Sequence, residues 1–199
     1  MKPNTEISTP NTDCACHSVT ATWLPYLNGR ISKAQISGLA ATLHHDEDGI
    51  YTLLRIMSDN PDSRTAFNAA RILSNLSTEN KDIYLSPKTS ELTELALSAQ
   101  GAQNQRAYFS ILADMPHADE GNMALLDFCM THITDTKMSL ACRSYMIKIA
   151  VGLCRPYPEL MNELEICLDL LPAGLPPSLS AAKNNALRHI WKALHKKVR

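Results

Sequence analysis

Three groups of residues carry side chains that could do chemistry. Near the start, Cys14-Ala15-Cys16-His17 gathers two thiols and an imidazole within four residues, soft donors of the kind that hold zinc. Further on, His44-His45-Asp46 places imidazoles beside a carboxylate, a donor set that could hold a divalent metal and activate water on it. The third group is spread out: Arg64, Arg106, Arg143 and Lys183 each open an apolar helical run, at separations of 42, 37 and 40 residues (106−64, 143−106, 183−143). Cations spaced in this way either tie to acids and carbonyls of a neighbouring unit or line a surface that receives an acidic partner.

The metal-binding pattern is incomplete. Zinc sites use C-x-x-C loops or well-separated pairs, and here no second cysteine pair accompanies Cys14 and Cys16. His17-Ser18-Val19 followed by Leu43-His44-His45-Asp46 is similar to the first two metal-ligand motifs of the HD phosphohydrolase superfamily, in which a helix-borne His and a later His-Asp pair hold metal for attack on a phosphoester. That resemblance implies a metal-dependent phosphohydrolase using His17, His45 and Asp46. No clear later Asp motif closes the ligand set, and no Gly-rich phosphate loop, G-x-S-x-G elbow or H-E-x-x-H is present. The expectation is therefore no enzyme, no cofactor and no bound metal, with Cys14, Cys16, His17, His45 and Asp46 as the residues to watch. Cys129, Cys142, Cys154 and Cys167 lie at or beside apolar helical stripes and read as small reduced core residues.

Composition narrows the class further. With 199 residues, 45% of them hydrophobic and only 7 glycines, the chain can bury one sizeable core. No apolar stretch reaches the roughly 20 residues that cross a bilayer, and Met1-Lys2-Pro3-Asn4-Thr5-Glu6 lacks the apolar segment of a secretory signal, so a cytoplasmic location is expected. A formal net charge of −1 gives no general attraction to phosphate backbones or anionic lipid. Arg188, Lys192, Lys196, Lys197 and Arg199 form a basic cluster at the C-terminal end. With the spaced arginines it leaves nucleic-acid binding as an alternative.

The elements that must position these residues are all helical. Residues 1–18 are polar, with Pro3 and Pro10, and read as a flexible arm; residues 19–199 read as one domain. A short helix over 21–27 stops at Asn28-Gly29, and Ser32 caps a second that carries Ile36, Leu39, Ala40 and Leu43. Four pairs follow: 50–57 with 61–76, 87–100 with 104–115, 119–133 with 137–153, and 157–171 with 178–194. Pro61 is expected at the first helical position, and Ser86-Pro87 at another capped start. In helix 61–76, Ala66, Ala69, Ala70, Leu73 and Leu76 share a buried stripe, while Arg64, Asn68, Arg71 and Asn75 share a polar one. In helix 137–153 the core face is read as Met138, Ala141, Tyr145, Met146, Ile149, Ala150 and Leu153.

Paired helices recurring near every 40 residues are the signature of HEAT or armadillo-type solenoids. The segments Leu126-Asp127-Phe128-Cys129, Ser139-Leu140-Ala141-Cys142-Arg143-Ser144-Tyr145-Met146, Tyr157-Pro158-Glu159-Leu160 and Glu163-Leu164 resemble the C-terminal half of an uncharacterised bacterial family of ARM/HEAT-type proteins. Asn68-Ala69-Ala70 with Ile72-Leu73 resembles that family's first repeat, with Arg71 where a Trp is usual. The resemblance implies an all-α, right-handed α-α superhelix of about four helix pairs plus an N-terminal helical cap. The expected role is a non-enzymatic protein-interaction or adaptor module. Its partner is expected to be a protein, acidic in character, bound through Arg64, Asn68, Arg71, Asn75, Arg106 and Arg143, with neither nucleic acid nor membrane as the main target.

One outcome follows from the incomplete ligand sets. Elemental analysis of mildly purified protein is expected to find well under one zinc, manganese or iron per chain; a tightly held metal lost in Cys16→Ala or Asp46→Ala would reverse the ranking of scaffold over enzyme.

Overall fold

The computed structural model describes residues 22–115 and 122–195. The expected arm over 1–18, with Cys14, Cys16 and His17, lies outside the described residues, as do 116–121 and 196–199. Among the described residues every regular element is helical. Helix α1 covers residues 22–27. It is followed by α2 (Lys33–Thr42), α3 (Glu47–Asp59), α4 (Arg64–Ser74), α5 (Thr78–Asn80), α6 (Thr89–Ser98), α7 (Ala102–Ala113), α8 (Met123–His132), α9 (Leu140–Cys154), α10 (Pro158–Asp169) and α11 (Pro177–His195).

Short side chains at the starts fix these boundaries. Ser32 and Gln35 form a reciprocal capping box on α2. Hydroxyls of Ser63 and Ser139 accept from the N–H groups of Ala66 (3.0 Å) and Cys142 (3.2 Å) at the starts of α4 and α9, and Asn122 does the same for α8 through Leu125 N–H at 3.1 Å. Helices α8 and α9 therefore begin at Met123 and Leu140, a few residues later than expected.

Two expected starts are corrected. Pro61 is not the first residue of α4: Asn60-Pro61-Asp62-Ser63 forms the turn, and Ser63 caps the helix. The reason lies in the next repeat, which needs the carbonyls of that turn. Asn104 Nδ2 donates to Pro61 O at 2.7 Å and Ser63 O at 2.9 Å, and the Tyr108 hydroxyl also donates to Pro61 O. Ser86-Pro87 is not a capped start either. The chain is already helical from Thr78, winds wide over Lys81–Leu85 and tight over Ser86–Lys88, then continues as α6. The change of winding absorbs the N–H that Pro87 lacks.

The second helices of successive pairs stack directly on one another, in the order α2, α4, α7, α9, α11, while α3, α6, α8 and α10 pack beside their own partners. The starts of the last four stacked helices are 38, 38 and 37 residues apart (102−64, 140−102, 177−140). Among the described residues this is a solenoid of four pairs behind a shorter α1–α2 cap. One core runs its length, from Leu27 and Ile36 through Leu73, Phe109 and Met146 to Leu164 and Ile190, all nearly or fully buried.

The face read for α9 is shifted. Cys142, Arg143, Ile147, Val151 and Cys154 are buried along with Met146, Ile149, Ala150 and Leu153, while Tyr145 and Ala141 are only half-buried. Helix α9 touches α7, α8, α10 and α11, so its buried arc is wider than one stripe.

Side chains in the core and in the turns should therefore dominate stability. In urea unfolding, Leu164→Ala at the centre of α10 is expected to cost about 2–5 kcal/mol and Asn104→Ala about 1–3 kcal/mol. Glu163→Ala, on the exposed face of α10, should stay within about 0.5 kcal/mol; similar losses at all three positions would mean that the packing is misassigned.

Candidate partner-binding groove

Each of the spaced cations does something different. Arg143 is 5% exposed, its Nε donates to Ile133 O at 2.7 Å, and its Nη2 has no partner among the described residues. It is a core residue of its own helix pair and cannot meet a partner. Lys183 lies 3.6 Å from Asp169 on the preceding helix. Arg64 and Arg106 are exposed and make no hydrogen bond or ion pair among the described residues. The cause is register. Their separations depart from the 37–38-residue helix spacing by one to four residues, and each residue turns a helical side chain by about 100°.

Asparagines fasten the repeats instead. Asn68, expected on the partner face, is 2% exposed. Its Nδ2 donates to Leu27 O at 2.8 Å and Gly29 O at 3.0 Å, across the turn of the preceding pair, just as Asn104 does one repeat later. Arg71 completes the clamp, donating to Ile31 O at 3.1 Å and reaching the Asn68 Oδ1 at 3.4 Å, which fixes the amide's orientation. Asp62 works in the opposite direction: its Oδ1 accepts from Gln100 N–H and Gly101 N–H, at 3.1 and 2.8 Å, at the start of α7. A Cβ on Gly101 would lie 3.3 Å from that oxygen, so the close approach favours glycine there.

The inner row of helices encloses a groove of about 240 Å³. Lys33 from α2, Arg71 from α4 and Arg106 from α7 line it, together with Phe67, Ser110 and Tyr145. Arg71 is half-buried, its guanidinium 5.5 Å from the centre of the Phe67 ring, while Lys33 and Arg106 stand exposed. Asn75 is exposed at the end of α4 and also reaches the groove. Of the residues expected to meet a partner, then, Arg71, Asn75 and Arg106 come together, Arg64 points elsewhere on the surface, and Asn68 and Arg143 are inside.

A feature that the net charge hides is the separation of charge between layers. None of α2, α4, α7, α9 and α11 contains an aspartate or glutamate, and every one carries lysine or arginine. The acids of the helices sit in the outer elements, such as Glu47 and Asp59 in α3, Glu91 and Glu94 in α6, and Glu163 and Glu165 in α10. The overall charge of −1 is thus the sum of a cationic inner row and an anionic outer one. The signal was present in the sequence, one helix in two, but averaging over the chain erases it.

The metal candidates that are described serve the turn between α2 and α3. Asp46 Oδ1 accepts from Gly49 N–H at 2.9 Å and caps α3, and a Cβ at Gly49 would collide with that carboxylate. His45 takes a positive φ of 59° and its Nε2 lies 4.0 Å from Glu79. Among the described residues no three His, Cys, Asp or Glu side chains converge as a metal-holding group.

Repeated helix pairs with clamped turns and a continuous inner row are the architecture of a helical-repeat solenoid. The HEAT repeat domain matches residues 23–190. The chain belongs to the HEAT-repeat family. No curated protein and no solved structure matches it. Among the described residues no helix of this HEAT protein is long and apolar enough to cross a membrane.

The four cysteines among the described residues are core residues, as expected: Cys129, Cys142 and Cys154 are buried and Cys167 half-buried, all as free thiols. Burial pushes Cys154 up to about 11, with Glu163 adding to the rise, and burial raises Cys129 further, with Cys154 adding. Both thiols therefore stay protonated through neutral and mildly alkaline pH. At pH 8, iodoacetamide followed by peptide mass mapping should modify Cys129 and Cys154 more than about tenfold more slowly in the folded than in the unfolded protein; equal rates would remove them from the core.

Proposed function

We propose that this HEAT protein is a non-enzymatic scaffold whose inner row grips an acidic, extended segment of a partner protein. HEAT repeats are protein-interaction scaffolds, and the coarse function follows from the family. The finer reading is carried by one observation: four successive inner helices, α2, α4, α7 and α9, line a shared groove without a single carboxylate among them. Like-signed walls focus field and favour ligands of the opposite sign.

A peptide suits this geometry better than nucleic acid does. Apart from Arg55, the lysines and arginines of the α-helices lie in one row, flanked by acidic outer helices, so a short run of carboxylates fits along it. A long polyanion that spreads beyond the row meets Glu47, Asp59, Glu91 and their neighbours and is repelled.

Arg71 is a poor test residue because it also donates to Ile31 O; reversing its charge would loosen the α1–α2 cap as well. Lys33 and Arg106 are the clean pair. The double variant Lys33→Glu/Arg106→Glu should keep its unfolding free energy within about 1 kcal/mol of wild type. It should also lose the acid-rich proteins that wild type retains when used as bait in nuclease-treated lysate at low salt. Identical recovery by both baits, or loss of the recovered partners on nuclease treatment alone, would overturn the proposal.

A further inference from the structure

A second recess of about 860 Å³ opens on the same inner row, between α9 and α11. Among the described residues its walls are apolar or small, including Met115, Ile147 and Val151 on one side and Ala181, Ala182 and Ala186 on the other. Its size is that of ligand-binding clefts. Its rim carries two cations, Lys148 and Arg155, with the His189 imidazole beside them, and all three are exposed. Tyr145 lines both this recess and the cationic groove, so the two share a wall. The recess is half open rather than enclosed, which suits a side chain entering from a bound strand more than a free hydrocarbon chain that needs cover on all sides.

We infer that the segment received by the inner row carries one bulky apolar side chain beside its carboxylates, and that this side chain seats between α9 and α11 as the anchor of the complex. The inference rests on the reading of the inner row as an acidic-peptide groove and adds the partner's second determinant. Lys33, Arg71 and Arg106 meet the carboxylates; past Tyr145 the apolar walls take the anchor. Lys148 sits on the rim of the recess, held 2.6 Å from Asp114 but 59% exposed, so it can exchange that partner for a carboxylate of the ligand.

The test uses the full chain and two kinds of fluorescein-labelled peptide, read by anisotropy at low salt: a pentaglutamate, and pentaglutamates carrying one phenylalanine at either end after zero to four glycines. The tightest phenylalanine peptide should bind about tenfold more tightly than pentaglutamate. Ala181→Phe, at an exposed wall position, should fill the recess and cancel that gain while leaving pentaglutamate binding unchanged. Ser178→Leu, also exposed and on the same wall, should do the same and guards against a fold defect in the first variant. Arg106→Glu should weaken every peptide. Equal affinity of all peptides, or a phenylalanine gain that survives both fillings, overturns the anchor and leaves the acidic groove standing. Failure of every peptide to bind wild type overturns the acidic groove itself.

Discussion

Carbonyls in the turns between paired helices are the weak point of a helix stack, because they point away from both helices and toward the neighbouring pair. Buried without a donor, each would cost on the order of 1–3 kcal/mol. Here the next repeat supplies the donors: Asn68 bridges Leu27 O and Gly29 O, Asn104 bridges Pro61 O and Ser63 O, and Arg71 covers Ile31 O. An amide suits this task since its two N–H groups diverge enough to reach two carbonyls, and it brings no charge into the core. The clamps fix how far one pair is displaced from the next, so they also set where the inner helices present Lys33, Phe67 and Arg106.

Asparagines carry most of the clamping in the first turns, which leaves Lys33 and Arg106 of the inner row free of structural work, while Arg143 satisfies Ile133 O in the α8–α9 turn. Arg106 and Lys33 have no partners among the described residues, and Arg71 spends only part of its guanidinium on the clamp. This is the reverse of a stack in which arginines form the ladder and the groove is neutral. The acids follow the same logic. Asp46 and Asp62 cap helix starts, where the positive end of the helix dipole favours them, and the helical acids stay on the outer elements.

What could be read from the sequence was what depends on local periodicity. The apolar stripes of α4 and α10 and the Ser32 cap are encoded within a few turns each, and the buried Ala66, Ala69, Ala70 and Leu73 lie where the stripe places them. Long-range choices could not be read. Asn68 looks like a surface residue because its partners, Leu27 and Gly29, are about 40 positions away. Pro61 looks like a helix start because nothing local reveals that Asn104 and Tyr108 need its carbonyl. The cationic row was legible, but only once the helices are divided into inner and outer, a division that a single helix does not contain.

Lys81 shows how the same rules reach a buried charge. Its ammonium lies 7% exposed in the wide-wound segment, donates to Ser74 O at the C-terminal end of α4 at 2.7 Å, and sits 3.6 Å from Asp114. A cation at the negative end of a helix is favoured, and Asp114, which as the C-cap of α7 is on the wrong end of its own helix, is offset by Lys81 on one side and Lys148 on the other. Burial still dominates and lowers the affinity of Lys81 for its proton, against the pull of Asp114. Since the unfolded chain then holds that proton more tightly than the folded one, this lysine's contribution to stability increases as pH rises toward 10.5. At neutral pH the group costs stability rather than adding to it. Its place is explained by geometry: it ties the end of α4 to the end of α7 and, through Asp114, to the Lys148 that stands at the mouth of the apolar recess.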